Sequence, residues 1–178
     1  MPVDYSFYKL CKDLLKPKRY VQNLQFRLEL YIPKKDETYT TSYRRFLQKV
    51  IALRTYSVPI DDIADLFKIE KKIMQLMHAD SLSNSPTWYL EFCEGPIKPD
   101  SCLLLTNYDL ETPISAANVQ TQLDFARNER ELFAGEEMGE DIHRVIAIYR
   151  DQVSKMKERI DTEYKVLVNA LDWANQVF

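Results

Sequence analysis

The residues able to do chemistry in this chain are few and far apart. Its two histidines, His78 and His143, have no cysteine or carboxylate partner at metal-ligand spacing. Cys11, Cys93 and Cys102 are too scattered for a disulfide framework, which points to a reduced, cytoplasmic setting. Cys93 and Cys102 could face each other across a hairpin, either as packed thiols or as a redox or metal sensor. The acidic run Glu136-Glu137-Met138-Gly139-Glu140-Asp141 is explained by a helix start, where carboxylates complement the dipole. Trp88, Tyr89, Tyr108 and Phe125 could line an effector pocket or simply pack in a core. No nucleophile stands beside a base. Gly95, Gly135 and Gly139 are the only glycines, so neither G-x-G-x-x-G nor a Walker loop is present to cradle a phosphate. The expectation is a protein that is not an enzyme and holds no cofactor or metal.

Charge is more informative. The 178 residues carry a net charge of -3, but unevenly. Residues 1–56 hold 12 lysines and arginines against 5 acids, a balance of +7, whereas residues 57–178 hold 12 against 22, a balance of −10. A basic front suggests a polyanionic partner; two mutually attracting faces of one globule would give the same arithmetic. Hydrophobic residues at 46% and aromatics at 12% supply material for a packed core. No apolar stretch is long enough to span a membrane, and the N-terminus lacks an apolar signal region.

The elements that must position these charges follow from periodicity. Residues 5–14 read as a short amphipathic helix interrupted at Pro17. A second runs from Lys18 to Leu30, with Val21, Leu24 and Leu28 inward and Lys18, Arg19, Gln22, Asn23 and Gln25 largely elsewhere. Two helices joined by a tight turn are implied. Leu30-Tyr31-Ile32 and Thr38-Tyr39-Thr40 could form a small hairpin around the polar turn Pro33–Glu37. Thr41 or Ser42 would cap a helix to about Thr55, burying Phe46, Leu47, Val50 and Leu53. Another helix spans Ile60 to about Met77, with Pro59 at its entry. Trp88–Cys93 and Cys102–Thr106 look like strands of a β-hairpin, and Asn118–Phe133 like a helix.

Residues 140–178 contain neither glycine nor proline. Ile142, Ile146, Tyr149, Val153, Met156 and Ile160 recur at alternating steps of four and three. A four-residue stutter follows, and Tyr164, Leu167, Leu171, Ala174 and Phe178 continue the seam. A single helix of this length, about 58 Å at 1.5 Å per residue, is too long to bury its whole stripe on one small domain. The leftover stripe calls for a partner, most simply a second copy. A break at the stutter that folds the helix back is the competing possibility.

The order of helix, turn, helix, short wing, two helices and long terminal helix resembles the MerR-type transcriptional regulators. Tyr5-Ser-Phe-Tyr-Lys-Leu-Cys-Lys12 sits where that family's opening helix would be. Leu30-Tyr31-Ile32-Pro33 looks like the end of its second helix. Ile51-Ala-Leu-Arg-Thr-Tyr-Ser-Val-Pro-Ile-Asp-Asp-Ile63 is similar to its Leu-Arg-x-x-Gly-Phe-Ser-Leu-x-Glu-Ile stretch, with Ser57 in the place of the usual glycine. The resemblance implies a dimer binding double-stranded DNA, with the second helix in the major groove. Gln22 and Asn23 can then pair with adenine and Arg19 with guanine. Lys18, Lys34, Lys35, Arg44 and Arg45 would neutralise phosphates. Ile146, Tyr149, Val153, Met156, Ile160, Leu167 and Leu171 would form the dimer interface.

The chain is therefore expected to be mainly α. A winged helix-turn-helix domain would occupy residues 1–78, a connector with a β-hairpin and a helix 79–138, and a coiled-coil dimerisation helix 139–178. The alternative is a protein–protein adaptor whose winged-helix fold does not bind DNA. Any small-molecule effector is unspecified by the sequence.

Overall fold

The computed structural model describes residues 5–76, 84–91, 104–106 and 140–177. Among these residues every regular element is a helix, and the chain is mainly α. Ser6 opens α1 (Phe7–Asp13) by accepting the Lys9 N–H at 3.3 Å. Pro17 precedes α2 (Lys18–Arg27) in extended backbone, where a proline has no helical N–H to lose. Thr40, one residue before the expected position, caps α3 (Thr41–Thr55) through the Tyr43 N–H at 3.2 Å. Asp61 and Asp62 occupy the first turn of α4 (Ile60–Leu76), directly after Pro59. The apolar residues expected inward on α2 and α3 are all buried, as are Ile63, Leu66, Phe67 and Ile73 of α4.

Helices α1, α2 and α3 end in the same way. Leu15, Glu29 and Ser57 adopt left-handed backbone, with φ of 53°, 51° and 62°. Each turn closes with a bond back across the helix end: Lys16 N–H to Cys11 O, Leu30 N–H to Gln25 O and Val58 N–H to Leu53 O, at 3.2, 3.0 and 3.2 Å. Leu30 and Val58 are buried just beyond these turns, and their packing holds the reversal in place. Glycine would normally stand at such positions, and a side chain there costs on the order of 1 kcal/mol. The chain thus makes three sharp reversals in a stretch without glycine.

The expected hairpin of residues 30–32 and 38–40 does not form. Tyr39 instead bridges Tyr5 in antiparallel fashion, with two N–H···O bonds of 2.8 Å. The loop between is closed by side chains: Glu37 accepts the Tyr31 hydroxyl at 2.5 Å and the Lys34 N–H at 3.0 Å. Nor do the described residues of the second expected hairpin form strands. Trp88–Glu91 is a helical turn, α5, entered through Ser85-Pro86-Thr87, with the Thr87 hydroxyl donating to Glu91 at 2.6 Å. Pro86, two residues before Trp88, favours a turn into this helix over a strand, against the β preference of Trp88 and Tyr89. Residues 104–106 form bends rather than a strand. The rest of that hairpin, with Cys93 and Cys102, lies outside the described residues, as do His78, Tyr108 and the expected helix over 118–133.

The terminal helix α6 (Glu140–Val177) is unbroken across the stutter. Its most extensive packing is against α4. Tyr149, Val153, Met156 and Ile160 join the same apolar cluster as Val21, Leu47, Leu66 and Phe67. Beyond Ile160 the described large apolar residues Val166, Leu167, Leu171, Trp173 and Val177 are all exposed. Among the described seam residues, those from Ile146 to Ile160 are buried, and Leu167 and Leu171 after the stutter are exposed. No helix among the described residues is long and apolar enough to cross a membrane.

Candidate nucleic-acid interface

α2 has two unlike sides. Val21, Leu24 and Leu28 face the core, while Lys18, Arg19, Gln22, Asn23 and Phe26 are exposed. Spacings of three and four residues set these five on one outer stripe. The charged end of the stripe adjoins the α1–α2 turn, where the Lys18 ammonium lies 5.9 Å from the Tyr8 ring centre. A shallow cleft of about 410 Å³ opens there, lined by Tyr8, Cys11, Lys12, Leu15, Lys16 and neighbours. Burial pushes the Cys11 thiol above its ordinary range, against the opposing pull of Lys18, so it is a poor nucleophile.

A buried polar cluster fixes the orientation of α2. Gln25 is only 2% exposed. Its amide donates to the hydroxyls of Tyr39 and Tyr43, each at 3.2 Å. The Tyr43 hydroxyl donates in turn to the Tyr31 carbonyl at 2.8 Å, and the Tyr31 N–H reaches the Tyr89 hydroxyl at 3.4 Å. Burial raises the Tyr43 and Tyr89 phenols, so both stay neutral through the physiological range, Tyr43 donating and Tyr89 accepting. One side chain of α2 is thereby tied to the 31–39 loop and α3. Hydropathy patterning placed Gln25 outside, because nothing local reveals tyrosines fourteen and eighteen residues ahead.

The other expected contacts are less uniform. Lys34 and Lys35 are exposed on the loop closed by Tyr31 and Glu37. Arg44 and Arg45 are half-buried. The Arg44 guanidinium lies 5.5 Å from the Tyr5 ring centre, so it covers the Tyr5–Tyr39 bridge rather than standing free. The acids at the start of α4 take other partners: Asp61 pairs with Arg27, and Asp62 with Arg159 of α6 at 2.6 Å. Those pairs leave the α2 stripe untouched and link α2 and α6 to α4.

A second polar site lies on α4. Glu70 is 0% exposed. Its carboxylate accepts the N–H groups of Leu104 and of Leu105, the latter at 2.9 Å. Burial pushes this carboxyl up to about 7, opposed by those N–H groups and by the charge of buried Lys49. The arrangement anchors residues 104–106 to α4; chemically it is a tether. Among the described residues no group of His, Cys, Asp and Glu is disposed to hold a metal ion.

Of the seven residues expected at a dimer interface, Ile146, Tyr149, Val153, Met156 and Ile160 are buried within the chain itself. Leu167 and Leu171 are 54% and 64% exposed. The uncovered stripe is the part of the seam after the stutter.

No protein-family model matches the chain, and no curated protein or solved structure matches it either.

Proposed function

We propose that this chain is a dimeric, non-enzymatic DNA-binding protein, a cytoplasmic transcriptional regulator of the MerR-like kind. In this reading α1 and α2 act as a helix-turn-helix, and the 33–38 loop serves as a wing without strands. The observation that carries it is the outer stripe of α2. Lys18, Arg19, Gln22 and Asn23 stand exposed on one side of a helix whose inner side is pinned by Gln25. Cationic and amide side chains on a rigid, uncovered helix are what a major groove accepts. Lys34 and Lys35 on the neighbouring loop add phosphate contacts. A second copy would cover Leu167 and Leu171 and bring two α2 helices to one duplex.

The test is equilibrium binding of the full chain to a mixed-sequence duplex at low salt. Binding that Gln22→Ala and Arg19→Ala weaken supports the reading; no binding at low salt overturns it. A specific observation favours a second reading. Leu15 and Ile32 expose apolar surface near α2, which suits an adaptor that contacts protein. Retained folding with no affinity for any duplex would favour that adaptor.

A further inference from the structure

Phe26 is 79% exposed on the same outer stripe as Lys18, Arg19, Gln22 and Asn23. A large aromatic left in water on a helix otherwise polar on that side is unexplained by the fold, since Val21, Leu24 and Leu28 already supply the inward contacts. It is not a loosely held residue. The end of α2 is secured on both sides, by the left-handed turn at Glu29 and by the pairing of Arg27 with Asp61. A second pair, Lys68 with Glu29 at 3.6 Å, binds the same end to α4.

We infer that Phe26 reads the 5-methyl group of thymine, which makes α2 selective for A·T-containing duplex; this rests on the DNA-binding reading above. The argument is one of chemical match. Adenine offers a donor and an acceptor suited to Gln22 or Asn23, and the thymine paired with an adenine presents a methyl group, the one apolar feature of the major groove. A stripe of amides ending in one aromatic ring mirrors that pattern. Spacing agrees as well. At 1.5 Å per residue Phe26 lies about 4.5 Å beyond Asn23 and about 6 Å beyond Gln22 along the axis, or one to two base steps of 3.4 Å. The stripe's polar majority argues against an apolar protein groove as the occupant, which would demand several apolar side chains side by side.

The experiment uses full-length protein and two duplexes, alternating dA·dT and its dA·dU counterpart, which differ by the methyl groups alone. The wild type should bind the uracil duplex about fourfold more weakly for each methyl contacted. Phe26→Ala should bind both duplexes equally, at about the wild-type affinity for uracil, with an unchanged melting temperature. Phe26→Leu should retain part of the preference. Alternating dG·dC should gain affinity for the wild type, and not for Phe26→Ala, when its cytosines carry a 5-methyl group. Equal wild-type affinity for the thymine and uracil duplexes overturns the inference alone. A preference that survives in Phe26→Ala also overturns it. Binding to no duplex overturns the DNA-binding reading and this inference with it.

Discussion

Replacing Glu70 by glutamine tests the buried tether between α4 and residues 104–106. The carboxyl is pushed from an ordinary value of 4.5 up to about 7 by complete burial, which outweighs the N–H groups of Leu105, Leu104 and Thr106 and the charge of Lys49. A carboxyl raised on folding binds its proton more tightly in the folded state. Its contribution is therefore fully present below pH 4.5 and is lost as the pH climbs through about 7. At about 1.4 kcal/mol per pH unit over that window, the loss between pH 5 and pH 7 is on the order of 2 kcal/mol. Glutamine keeps an oxygen acceptor for the Leu104 and Leu105 N–H groups but has no proton to release. Urea unfolding of wild type and Glu70→Gln across pH 5 to 8 isolates the effect, because all other titrating groups are shared. The stability difference should shift by about 2 kcal/mol in favour of glutamine from pH 5 to 7 and flatten above that. If the N–H grip and Lys49 outweigh burial, the wild type gains on the variant as the pH rises, and the reasoning fails.

Other expectations follow from the same contacts. Ser57→Gly removes a side chain from left-handed backbone and should raise stability by about 0.5–1 kcal/mol, read as a higher melting temperature; a loss would mean that the turn is not held at positive φ. Gln25→Leu leaves the Tyr39 hydroxyl without its donor and should cost about 1–3 kcal/mol. It should also weaken DNA binding through misplacement of α2, although Gln25 touches no nucleic acid. The two halves of α6 should respond differently to charge. Leu167→Asp with Leu171→Asp should leave the fold intact and halve the mass in solution, whereas Val153→Asp, buried against the chain's own core, should unfold it. A dimeric double variant would remove the exposed stripe from the proposed interface.

Most of the helical frame was legible because apolar periodicity is local. The boundaries of α3, α4 and α6 lie within a residue or so of the sequence pattern, and the seam residues described before and after the stutter differ in burial. Several features were not legible, most of them because they depend on pairing at long range. Gln25, Lys49 and Glu70 are buried, yet polarity alone assigns such residues to the surface; Gln25 is satisfied by Tyr39 and Tyr43, and Glu70 by the backbone of Leu104 and Leu105. The strand-like segment Thr38–Thr40 found its partner in Tyr5, not in the adjacent Leu30–Ile32, because pairing depends on where α1 begins. Phe26 escaped notice for the opposite reason: an exposed aromatic on a polar stripe has no signature in hydrophobic spacing. Ser57, which stands where the resemblance would place a glycine, adopts left-handed backbone.

The central claim is that α2 presents a DNA-reading surface. Its most direct test is duplex binding measured against salt, comparing wild type with a Lys18→Ala, Lys34→Ala double variant. Log affinity should fall linearly with log salt, and the variant's slope should be shallower by about 0.9 for each phosphate contact removed, about 1.8 if both are lost. Identical slopes, or no binding at low salt, would contradict it.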